Sequence, residues 1–140
     1  MLNHTHLRKI SIALHIFIGI GALAGGFAAV SNPESPMGIS PDMLKNGPFN
    51  NFLIPGLFLM LVLGLGNLIA AAFTLKQHSW WPYISGGMGD ILVLWIVIQC
   101  LILLTIAGLH IIFFILGAIQ SLLAIGVIYQ KKLYPLNLRK

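Results

Sequence analysis

An all-α fold, a polytopic membrane protein built as a four-transmembrane-helix bundle, is the class this sequence predicts, and three observations predict it. Of 140 residues, 58% are hydrophobic. Charged side chains number only 8 Lys or Arg and 3 Asp or Glu, 8% of the chain, where a soluble domain carries about 25%. The mean hydropathy is +0.94, and a globule this small has too much surface for its volume to hide so much apolar area from water. The third observation is spacing: apolar stretches near the length of a spanning helix, about 20 residues, alternate with short polar ones. Soluble enzymes, nucleic-acid-binding domains and disordered tails are excluded on these grounds, and the lipid bilayer becomes the expected solvent.

The first span is expected at about 10–30, apolar apart from Ser11 and His15. Arg8 and Lys9 precede it as in a secretory signal, but a signal's apolar core is 7–15 residues and this one runs about 21; an uncleaved helix is expected. A loop at 31–51 follows, because Pro33, Pro36, Pro41 and Pro48 forbid a continuous helix. The second span is placed at 52–75, with Pro55 in the first turn, where a missing N–H costs little. Lys76 to Tyr83 form a connection whose Trp80 and Trp81 suit a membrane–water interface. Ile84 to Tyr129 then run 46 residues with no Lys, Arg or Glu and one Asp. That is too long for one span and fits two, expected at 83–105 and 108–130, in a single membrane domain.

Orientation follows from the positive-inside rule. Arg8, Lys9, Lys76, Lys131, Lys132, Arg139 and Lys140 fall on one side, and Lys45 alone on the other, beside Glu34 and Asp42. The expected topology is N-in/C-in, both termini cytoplasmic, with the 31–51 loop outside.

Asp90 is the sharpest single signal. A carboxylate at mid-membrane costs about 2.5–3.5 kcal/mol and normally faces the bundle interior. Each span carries one such polar residue, His15, Asn67, Asp90 and Gln120, and each sits on a stripe of small residues at helical spacing. His15 lies with Gly19, Ala22 and Gly26; Asn67 with Gly64 and Ala71; Asp90 with Gly86; Gln120 with Gly117 and Ala124. A central cluster joining all four helices is the expectation. It is either packing glue or a proton- or ion-coupling site. Trp95 and Gln99, on the face of the third helix opposite Asp90, mark a candidate interface with another subunit, and Gly21 with Gly25 a candidate dimer face.

Chemistry has little purchase elsewhere. Cys100 is the only cysteine, which excludes an intrachain disulfide and paired-thiol redox chemistry. His15 and His110 belong at different depths and do not suit one haem iron; no zinc-protease, phosphate-loop or nucleophile-elbow motif occurs. No enzyme, metal or cofactor is expected. The expected partners are lipid and a homo-oligomer or another membrane protein.

At the loop-to-helix junction the chain reads Gly47-Pro48-Phe49-Asn50-Asn51-Phe52-Leu53-Ile54-Pro55-Gly56-Leu57. With Pro33 and Gly38 upstream, and Trp95 and Gln99 downstream, this resembles a widespread family of small uncharacterised bacterial four-helix integral membrane proteins. The resemblance implies the architecture and a bacterial plasma (inner) membrane setting, and carries no activity. Small multidrug transporters share the size but place an acid in the first helix, which this chain lacks. Read physically, Phe49 and Phe52 are interfacial anchors, while Pro55 and Gly56 start a helix that packs closely. The leading functional expectation is a membrane protein acting through helix-face or outer-loop contacts. The alternative is a small oligomeric proton-coupled transporter or channel using Asp90.

Overall fold

A computed structural model describes residues 2–138, and within them every regular element is helical. Two of the seven cations assigned to one side, Arg139 and Lys140, lie outside the described residues. Four helices are long and apolar enough to cross a membrane: α1 His4–Ser31, α2 Leu53–Leu75, α3 Trp81–Leu103 and α4 Gly108–Gln130. They point to a multi-pass membrane protein. The up-down order gathers the start of α1, the end of α2, the start of α3 and the end of α4 at one end, here the basic end. The 32–52 loop and the α3–α4 link lie at the other, the loop end.

Two boundaries differ from the sequence expectation. α1 begins six residues early because Asn3 caps it: its Oδ1 accepts from the His6 amide at 3.0 Å. Hydropathy registers only the apolar part of such a helix and misses the polar turn before it. α3 begins at Trp81, with Pro82 in its first turn, and ends where Leu104 turns left-handed at φ 49°. Trp81 is not an interfacial belt residue. It is 1% exposed, packed with Leu7 and Val127, while Trp80 stays 62% exposed.

Small residues set the helix spacing, as they must where lipid offers no hydrophobic drive for association. α1 and α2 meet through glycine: a Cβ on Gly26 would lie 2.6 Å from the Met60 backbone nitrogen, and one on Gly56 2.6 Å from the Ala29 Cβ. From Leu59 to Leu65 α2 widens into a π-helix. Gly56, Met60 and Gly64 recur every four residues, a repeat that drifts around a helix of 3.6 residues per turn; the wider turn keeps it facing α1. α3 and α4 meet at Gly89 and Gly117, where a Cβ on Gly89 would sit 2.6 Å from the Gly117 carbonyl oxygen. Gly21 and Gly25 are occupied within the bundle, by Phe113 and Leu59, and form no free dimer face.

The loop folds back onto the helices. Phe52 N donates to Pro33 O at 3.0 Å and Asn51 Nδ2 to Glu34 Oε1 at 2.8 Å, tying its ends together. Leu44 is buried, and Gly47 lies against Ile102 of α3. At the basic end, Arg8 reaches the Thr74 and Leu75 carbonyls at 3.4 and 3.5 Å, a cation at the C-terminus of α2.

Candidate functional site

Each helix contributes one uncharged polar side chain to the centre of the bundle: His15 from α1, Asn67 from α2, Ser85 from α3 and Gln120 from α4, all 0% exposed. Asn67 is oriented from its own helix, since its Nδ2 donates to the Leu63 carbonyl at 2.8 Å. Leu63 lies in the π segment. That bond turns Asn67 Oδ1 toward His15 Nδ1 at 2.7 Å. An acceptor facing Nδ1 requires a proton on that nitrogen, so the neutral ring is the Nδ1–H tautomer. His15 Nε2 then accepts from the Ser85 hydroxyl at 2.8 Å. Gln120 Nε2 lies 2.9 Å from both Asn67 Oδ1 and His15 Nδ1; with Nδ1 protonated, its proton goes to Asn67 Oδ1. The Gln120 Oε1 is buried with no partner among the described residues.

Three of the residues singled out in the sequence, His15, Asn67 and Gln120, thus come together, and Asp90 does not. Ser85 stands where Asp90 was expected. The buried stripe of α3 is Trp81, Ser85, Met88, Gly89, Leu92, Trp95 and Ile96. Asp90 follows Gly89 by one residue, about 100° around the helix at 3.6 residues per turn, and is exposed. Its Oδ1 accepts from Ser121 Oγ of α4 at 2.7 Å. Gln120 and Ser121 are neighbours facing different ways, one serving the inner cluster and the other the outward carboxylate. The signal that could have found Ser85 is its place on the Trp81–Ser85–Gly89 row. Gly86, Gly87 and Gly89 look alike in sequence, and only the approach of Gly117 selects Gly89.

Trp95 also reverses its expected role. It is 7% exposed in its own bundle, its ring 4.3 Å from that of Phe58, and is no subunit interface. Gln99 is half-buried beside it. The physical reason is the same rotation of α3, which turns Asp90 out and Trp95 in. Phe49, Phe52 and Pro55 join Trp95 and Gln99 around a cavity of about 30 Å³ beneath the loop, room for one water. The two phenylalanines are half-buried and lean inward as well as anchoring the junction. Gly56 makes the close contact with α1 that its position implied. On the opposite flank a groove of about 820 Å³ opens between the loop-end halves of α3 and α4, with Cys100, Thr105 and His110 among apolar side chains. The His110 ring is held back by its own helix start, where Nδ1 accepts from the Ala107 amide at 3.0 Å.

Asn67, His15 and Ser85 stand in the order orienting amide, imidazole, hydroxyl, the order used for nucleophilic acyl transfer. Here the hydroxyl is fully buried, so no carbonyl reaches it without parting the helices. What the arrangement does in its closed state is join four helices. Interhelical hydrogen bonds of this kind average about 0.6 kcal/mol each. Removing one partner costs more, because each group left unpaired in the core costs about 1–3 kcal/mol. No cluster of three or more metal-ligating side chains occurs among the described residues.

Compared with protein-family models, curated proteins and solved structures, the chain finds no match.

Proposed function

We propose that this chain is a non-enzymatic protein of the bacterial plasma membrane, with both termini in the cytoplasm, that works through contacts of its helix faces or loop with a second copy or another membrane protein. One observation supports this above the rest: the four polar side chains at the bundle centre bond to one another, with Gln120 Oε1 the one atom of theirs left without a partner among the described residues, while the carboxylate at membrane depth, Asp90, is exposed on the outer surface of α3. An outward acid in hydrocarbon costs about 2.5–3.5 kcal/mol, which a partner offsets and lipid tails do not. The seven-to-one distribution of basic residues supports the orientation, and the Pro48–Leu57 stretch supports the bacterial setting. Photo-cross-linking from Leu94, one turn from Asp90, in native membranes tests the function: a discrete protein adduct is expected, and lipid adducts alone would refute it. Reporter fusions test the topology, with the loop expected outside; a terminus outside overturns it.

A second reading, a proton-coupled transporter or channel using Asp90, draws on the same exposed carboxylate. Its test is flux into vesicles driven by a pH gradient, abolished by Asp90→Asn; gradient-independent behaviour removes it.

A further inference from the structure

We infer that the basic end of the bundle is a binding surface for the headgroup of an anionic phospholipid. This stands apart from any partner at Asp90. Five cations meet there: Arg8 and Lys9 on α1, Lys76 after α2, and Lys131 and Lys132 after α4. No Asp or Glu joins them, since Glu34 and Asp42 belong to the loop and Asp90 lies about 10 Å along α3 from Tyr83 at 1.5 Å per residue. Where the structure gives these cations a partner, it is uncharged. Arg8 Nη1 donates to the Thr74 and Leu75 carbonyls, which sets Arg8 beside Lys76, the next residue in the chain. Lys131 Nζ lies 6.0 Å from the centre of the Trp81 ring, and Trp81 packs on Leu7, the neighbour of Arg8. Hydrogen bonds hold the segment after α4 in place: Leu133 N donates to Ile128 O at 2.9 Å and Tyr83 Oη to Tyr134 O at 2.7 Å. Gln130 Nε2 donates to Leu2 O at 2.8 Å, joining the end of α4 to the start of α1. The fold thus gathers like charges from three helices, and their mutual repulsion is relieved by an anion.

The surroundings name the source of that anion. Lys9 adjoins the exposed Ile10, and Lys76 the exposed Leu75, so both stand where the apolar spans begin or end. Trp80, Tyr129 and Tyr134 are exposed at the same end, the aromatic belt that marks headgroup depth. At that depth a lysine stem lies along apolar surface while its ammonium reaches the phosphate layer. The anion these cations meet is therefore a lipid headgroup of the adjoining leaflet. The loop end supplies the contrast, with Lys45 set against Glu34 and Asp42, so the preference belongs to one leaflet.

The test measures quenching of tryptophan fluorescence by lipids with brominated acyl chains, using the full chain in phosphatidylethanolamine vesicles. W95F leaves Trp80 and Trp81 as the only indoles, both at the basic end, and wild type is run beside it. Brominated phosphatidylglycerol is expected to bind about fivefold more tightly than brominated phosphatidylcholine, the gain that one Lys or Arg near an anionic surface supplies. Raising salt from about 50 mM to about 0.5 M should bring that ratio toward unity, because screening shortens the reach of the cations. K131Q/K132Q is expected to lower the ratio to within about twofold of unity, and K45Q at the loop end to leave it unchanged. Circular dichroism and the thermal midpoint establish that each variant is folded. Equal quenching by the two lipids at low salt, a ratio that salt does not move, or a folded K131Q/K132Q with the full preference overturns the inference. So does a K45Q that loses as much as K131Q/K132Q.

Discussion

At the basic end α4 buries Gly117, Gln120, Ala124 and Val127, whereas from Gly108 to Leu116, toward the loop end, it buries nothing fully. The difference follows side-chain size. α3 and α4 touch backbone to backbone at Gly89 and Gly117; beyond that point Ile96, Ile111 and Phe114 hold them apart around the 820 Å³ groove. The α1–α2 pair has small residues through its loop-end half, Gly19, Ala22, Gly26 and Ala29 on α1 with Gly56 and Gly64 on α2, and stays close to the loop end. Where lipid is the solvent, small residues decide which helices pack and large ones decide where a bundle opens.

The largest expected effect tests the closed half. Gly89→Leu drives a side chain into the Gly117 carbonyl and the Ser121 hydroxyl, both 2.6 Å from the Cβ position, and should cost about 3 kcal/mol or more in denaturant titration in mixed micelles. His15→Ala comes next, at about 2–3 kcal/mol, because it opens a cavity and strips partners from Asn67 and Ser85. Ser85→Ala should cost about 1 kcal/mol, as it orphans only His15 Nε2. A double-mutant cycle of the two should show coupling, and strict additivity would mean the cluster does not act as a unit. In the open half, Ile111→Ala should change stability by less than about 0.5 kcal/mol, since Ile111 is 54% exposed. A large loss there would show that the groove is closed in the membrane.

Much of this was legible in the sequence. Long apolar stretches, prolines between them and cations at their ends located four helices. The small-residue stripes of α1, α2 and α4 pointed at His15, Asn67 and Gln120 because each of those helices carries that polar residue on a small-residue row that packs inward. α3 does not: Gly86, Gly87 and Gly89 stand together, and choosing among them rotates the helix by as much as a face. The early start of α1 was hidden because capping by Asn3 is local polar chemistry to which hydropathy is blind.

The sequence by itself determined the solvent, the number of spans and the end at which the cations gather, because these depend on composition along a line. Only the tertiary structure decided which side of α3 faces inward, since that depends on the 2.6 Å approach of Gly89 to Gly117, a contact between residues far apart in the chain. That one rotation put Ser85 in the neutral cluster, Trp95 in the core and Asp90 on the outside.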